Sequence, residues 1–241
     1  MRGRTIKELP KMPSYVFMAV PPSLKTIALF EWEVSLLKKK AGQLSLRFKA
    51  KPDSLFWDEV SKVPIATTWN LDHDNCPFLS DKNRCVIHEQ KPLICQAYPL
   101  MAFGIISAET RMITRIDLAD CPNAVPLPFK KGAIIPLKPS TVFQELFQLY
   151  GKTFLGMLRL DGAAKLLRDS LKNCEREGLI HRAILKKDVI KALLRNKPVG
   201  LLKHLRDKYP DVERHLRENI ESIYEVDIGY LEGIIKGAGS H

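Results

Sequence analysis

Apolar residues recur at helical spacing near the start of the chain and over its last hundred positions. Between these stretches they recur in short runs of strand type. Leu24, Ile27, Ala28, Leu29, Trp32, Leu36 and Leu37 share one helical face. Ser23 can cap such a helix, Lys38–Lys40 suit the negative end of its dipole, and Gly42 stands just past it. The pattern predicts a helix opening at Ser23, and a short second one over Asp53–Lys62 before Pro64. From Ile65 to Leu137 the texture changes. The β-prone runs Ile65–Leu71, Cys85–His88, Ala102–Ala108 and Arg111–Asp117 are separated by turn formers, and the last two read as a hairpin.

Pro126, Pro128, Pro136 and Pro139 mark 126–139 as a linker, and beyond it the helical period returns. Ser140 and Thr141 can cap a helix through Val142, Phe143, Leu146, Phe147, Tyr150, Phe154 and Leu158. Asp161 opens another, ended by Gly178. Lys186–Lys197, Val199–Tyr209, Asp211–Val226 and Tyr230–Lys236 suggest up to four more. The predicted fold class is α+β. An N-terminal helical segment (1–64) packs on the core, a small β-containing cysteine module spans 65–137, and an α-helical region spans 138–241.

Composition narrows the class. Of 241 residues 45% are hydrophobic and 27% charged, which argues against wholesale disorder. No apolar run approaches the ~18 residues of a membrane-spanning helix. Tyr15–Val20, cut off by Pro21 and Pro22, is too short for a signal peptide, so a cytoplasmic protein without a membrane partner is expected. The net charge of +11 invites phosphate-bearing partners. The basic residues are nevertheless spread along the chain, as on a solvated surface, and nucleic acid is only weakly indicated.

The cysteines change the picture. Four lie at 76, 85, 95 and 121, and Cys174 stands alone downstream. In a reducing compartment clustered cysteines hold metal or do catalysis more often than they form disulfides. Soft, charged thiolates bind zinc or iron tightly, and four complete a tetrahedral site or a cluster. The intervals are not the paired C-x₂-C of zinc fingers, whereas iron–sulfur clusters accept ligands from irregular loops. Four buried reduced thiols, or bridges such as Cys76–Cys85 and Cys95–Cys121, are the other readings of the same spacing.

The wording Cys76-Pro-Phe-Leu, Cys85-Val-Ile-His, then Lys91-Pro-Leu-Ile-Cys95-Gln-Ala-Tyr-Pro resembles the YkgJ-type cysteine-cluster family, the putative zinc- or iron-chelating domain. That family has Cys-x-Phe-Leu, Cys-x-Ile-Tyr and Arg-Pro-x-x-Cys-Arg-x-Tyr/Phe-Pro, with another cysteine after a short hairpin. His88, Lys91 and Gln96 depart from it, and its upstream paired cysteines are missing, since residues 1–75 contain none. The resemblance implies chelation at Cys76, Cys85, Cys95 and Cys121 and leaves activity open. A flagellin lysine N-methylase in the family makes protein modification one reading.

A [4Fe–4S] cluster is the expected cofactor and zinc the alternative, with His73 or His88 able to replace one cysteine in a Cys₃His site. Lys91 can offset the negative charge of the thiolates, and Tyr98 is expected to pack over the centre and exclude water. Cys174 reads as an incidental thiol. No Walker loop, dinucleotide fingerprint, nucleophile elbow or H-E-x-x-H occurs, and no residue is singled out as catalytic. Two functions follow. One is a metal-centred redox or protein-modification role with a protein substrate or redox partner. The other is a zinc-stabilised module whose basic helical surface meets nucleic acid or an acidic protein.

Overall fold

The computed structural model describes residues 15, 17–18, 27–73, 75–82, 84–108, 111–118, 126–127, 134–136, 141–225 and 229. Their elements are β1 (Phe17–Met18), β2 (Ala28–Phe30), α1 (Glu31–Gln43), β3 (Ala50–Pro52), β4 (Ser54–Asp58), β5 (Val63–Ala66) and β6 (Thr68–Leu71). A 3₁₀ turn (His88–Gln90), α2 (Leu93–Ala97), β7 (Leu100–Ala108), β8 (Arg111–Leu118) and β9 (Ile134–Pro136) follow. The chain continues with α3 (Thr141–Tyr150), α4 (Lys152–Arg176), α5 (Lys187–Arg195), β10 (Val199–Gly200), α6 (Leu201–Lys208) and α7 (Pro210–Glu225). Small sheets come first and helices dominate after β9, which is the predicted α+β arrangement. Among the described residues no helix is long and apolar enough to cross a membrane.

Several elements differ from their prediction. The first helix begins at Glu31, because Ala28–Phe30 is a strand paired with β6 in the register Leu29↔Trp69. Its predicted cap, Ser23, lies outside the described residues, as do Ser140 and Tyr230–Lys236. Glu31 and Glu33 then fall in the first turn, where the helix dipole favours acids. The helix expected over Asp53–Lys62 is strand β4. Leu55 packs with Ala66 and Leu193, whereas Phe56 packs with Ile65, Leu171 and Leu205. Burial on two opposite faces at period two requires a strand. The predicted linker carries β9, which pairs with β8 at Thr114↔Ile135. The hairpin of β7 and β8 stands as predicted, from Leu100↔Leu118 to Ala108↔Arg111.

The sheet β1-β4-β5-β10 ties the two ends of the chain together, since β10 runs parallel to β5 with Val199 opposite Ile65. Leu171 of α4, Leu201 and Leu205 of α6, and Leu216 and Ile220 of α7 cover one face. Leu193 of α5 covers the other. Asp58, fully buried, accepts hydrogen bonds from the N–H groups of Ser61 at 2.9 Å and His181 at 2.8 Å. Burial alone would raise its pKa, but these donors hold it below the ordinary value.

Helix α4 was expected to open at Asp161 but runs unbroken from Lys152. The break falls instead at Gly151, whose φ of +45° suits glycine. Asp161 is thereby buried mid-helix with one carboxylate oxygen unpartnered. Burial pushes its pKa up to about 6, with Arg168 pulling the other way. A carboxyl raised on folding adds stability below its ordinary 3.8 and loses it as pH rises through about 6. Asp161→Asn is expected to flatten that part of the curve, so its melting temperature should fall less across the window than the wild type's in thermal melts.

Candidate metal centre

Two short structures bring three cysteines together beside α1. After β6 the chain folds into a narrow loop, in which Ser80 N–H donates to the Arg84 carbonyl and Val86 N–H to the Phe78 carbonyl, both at 2.9 Å. Leu79 and Cys85 form an antiparallel bridge. Buried Phe78 and Ile87 pin the loop to Leu29, Leu37 and Ala41, and Cys76 and Cys85 pack against this cluster. Cys76 also accepts a hydrogen bond from the Phe78 N–H. Such N–H···S bonds stabilise sulfur as an acceptor and therefore as a thiolate.

Cys95 arrives on α2, which starts after Pro92 and spans five residues. So short a helix is marginal alone and needs tertiary support. Glu33 supplies it from α1. One carboxylate oxygen accepts the Leu93 N–H at 2.7 Å and the other the Phe30 N–H at 2.9 Å. The side chain is only 3% exposed, and burial pushes its pKa up to about 7 against the pull of those two donors. Glu31 does the same for α6, accepting from Leu202 at 2.6 Å and Lys203 at 3.1 Å. The first turn of α1 thus caps two distant helices.

On its other side α2 lies against α4. A Cβ built on Gly156 would stand 2.5 Å from the Gln96 carbonyl carbon, so the two backbones nearly touch. The Gln96 amide donates to the Lys91 carbonyl at 2.8 Å and accepts from Arg159 at 3.4 Å. Residues on both sides of Cys95 are therefore fixed.

Cys76, Cys85 and Cys95 line one small apolar cavity, closed by Leu29, Leu37, Phe78, Ile87 and the Lys91–Pro92 step. Burial pushes the Cys76 thiol up. It pushes Cys95 to about 12, with the other two sulfurs and Glu33 adding to the shift and Lys91 opposing it. A cation in the cavity would supply the charge that the thiolates lack. Among the described residues no three His, Cys, Asp or Glu side chains form a group able to hold one metal ion as they stand.

The other predicted residues separate. Cys121 lies outside the described residues. Lys91 lines the cavity, but Tyr98 is 50% exposed and stands off its lining. His73 accepts the Lys49 N–H through Nε2 at 2.8 Å, and His88 faces a polar cleft. Cys76, Cys85, Cys95 and Cys174 are free thiols, so no Cys76–Cys85 bridge forms. Cys174 is 3% exposed in the main core, away from the others.

Glu33, Gln96 and Gly156 were not foreseen as supports of the site. An acid in the opening turn of α1 is visible once Glu31 is taken as the helix start, but its partner sixty residues on is not. Glu33→Ala would leave two buried N–H groups unsatisfied, at about 1–3 kcal/mol each. Denaturant unfolding is expected to show a loss of roughly 2–6 kcal/mol.

Residues 26–120 match the family CxxCxxCC, described as a putative zinc- or iron-chelating domain. The match covers under half of the chain, takes in Cys76, Cys85 and Cys95, and stops one residue short of Cys121. The cysteine run in the family's name does not occur in this sequence. No curated protein and no solved structure matches the chain. Over this stretch the chain is similar to that cysteine-cluster domain, a likeness that supports metal binding.

Proposed function

We propose, on the premise that residues 26–120 are a zinc- or iron-chelating domain, that Cys76, Cys85, Cys95 and Cys121 hold one [4Fe–4S] cluster. The observation that carries this is the shared cavity. Cys76, Cys85 and Cys95 all line it, although they come from a loop and a short helix at irregular intervals. Clusters accept ligands from irregular loops, whereas structural zinc sites favour paired cysteines. The cavity is apolar and lined by Leu29, Leu37, Phe78 and Ile87, with the three cysteines half-buried at its wall, and such an apolar shell would shape the potential. Lys91 would contribute positive charge at the same wall.

Such a centre, when bound, supplies one-electron chemistry, and the role we assign is redox or protein modification with a protein substrate or redox partner. The helical surface gives the nucleic-acid alternative less support. Lys203 of α6 and Arg214 and Arg217 of α7 each pair with an acid on their own helix. Anaerobic purification followed by visible spectroscopy and assays of iron, acid-labile sulfide and zinc tests the proposal. Broad visible absorption with iron and sulfide in equal amounts is the expected result. A colourless protein with one zinc per chain would overturn the cluster and leave a structural metal. Absence of any metal would overturn both.

A further inference from the structure

Directly behind Lys91 a second, larger space opens. A cleft of about 600 Å³ lies between the α2 region and the start of α4, lined by His88, Glu89, Lys91, Gln96, Lys152, Thr153 and Arg159. Its volume is that of a small-molecule site. Three cations face one carboxylate, and the remaining side chains include an amide and a hydroxyl that can donate. The 25-residue helix α4 begins at this cleft. Gly151 before it has no side chain to cap it, and its first turn contains no acid. The positive end of the helix dipole therefore adds to the cationic side chains instead of being neutralised by its own sequence. Lys91 lines both this cleft and the cysteine cavity.

We propose that this cleft binds a small oxyanion, a phosphate ester or a polycarboxylate, next to the metal centre. Such ligands are anionic and rich in acceptor oxygens, which suits the lysine, arginine and threonine donors of this wall. Lys152 and Lys91 contact the anion. Arg159, tied to Gln96 and to the Tyr224 carbonyl at 3.0 Å, keeps the α2 side of the cleft in place. As a substrate pocket the cleft rests on the metal-centre reading, whereas as an anion site it stands without it.

The full chain, with its metal content assayed, is titrated calorimetrically with pyrophosphate and separately with citrate at fixed chloride. Saturable binding of one of them at one site per chain is expected, and the two arms separate the phosphate class from the carboxylate class. Lys152→Ala should weaken it roughly tenfold or more, the loss of one charge-assisted contact. Lys152→Glu should abolish it. Both variants should keep the wild-type metal content and melting temperature. Binding of neither anion, or equal binding by wild type and Lys152→Ala, would overturn the proposal. An absent metal would show in the metal assay alone, so failure of that reading is seen separately.

Discussion

Replacing Cys95 with serine is expected to strip the protein of its metal. The thiol is half-buried, and desolvation pushes its pKa up to about 12 despite Lys91, so it is neutral in the apo chain. Metal binding must displace that proton, and the attraction of thiolate for metal drives the exchange. A serine hydroxyl in the same place holds its proton more tightly and offers a hard oxygen in place of soft sulfur. Loss of a mere supporting group costs roughly 10–100-fold in metal affinity, and loss of a ligand should exceed that. The metal assayed after desalting should fall to background for Cys95→Ser, and likewise for Cys76→Ser and Cys85→Ser. Cys174→Ala is the control. Its thiol belongs to the main core with Phe56 and Ile180, so the variant should keep its metal while losing some stability. Wild-type metal content in Cys95→Ser would remove Cys95 from the ligand set.

The same protonation argument gives metal retention a pH dependence. The Cys76 and Cys95 thiols are both raised by burial, so protons compete with the metal more strongly as pH falls. Retention should therefore weaken on the acid side.

Legibility in the sequence followed the range of the interactions concerned. The β7–β8 hairpin and helices α5 to α7 depend on neighbours a few positions away, and their periodicity marked them. The cysteine spacing drew attention to one stretch, and the structure gathers Cys76, Cys85 and Cys95 around one cavity there. Strand β4 was misread because Leu55-Phe56-Trp57 is too short to show whether its period is two or 3.6. What decides it is α5 on one face and α4 and α6 on the other. Pairing of β10 with β5, and the caps that Glu31 and Glu33 place on α6 and α2, are long-range as well. A glutamate in the first turn of a helix looks like a dipole partner of that helix, and nothing local reveals that it serves a different one. Tyr98 is 50% exposed and outside the lining of the cavity. An aromatic beside Cys95 suggested a cover, but Phe78, Leu29 and Leu37 provide it from other elements.

Gly156 is the residue at which a sequence rule and the structure give opposite signs. In a helix interior glycine is worse than alanine by about 1 kcal/mol, so Gly156→Ala would ordinarily stabilise α4. Here the new methyl would lie 2.5 Å from the Gln96 carbonyl carbon and 2.6 Å from its oxygen. Those are backbone atoms of α2, so relief requires the two helices to part. Overpacking of this kind costs about 1–3 kcal/mol, which outweighs the propensity gain. Because Gln96 follows Cys95 directly, parting the helices also moves a sulfur away from the shared cavity. Gly156→Ala is expected to lower both stability and metal retention. Gly162→Ala, in the same helix with nothing within 4 Å of its Cβ, is expected to gain up to about 1 kcal/mol and leave the metal untouched. Denaturant unfolding and metal assays on the pair separate the two effects. If both variants were stabilised alike, α2 would not be braced on α4 at that contact, and the position of Cys95 would depend on the Glu33 carboxylate instead.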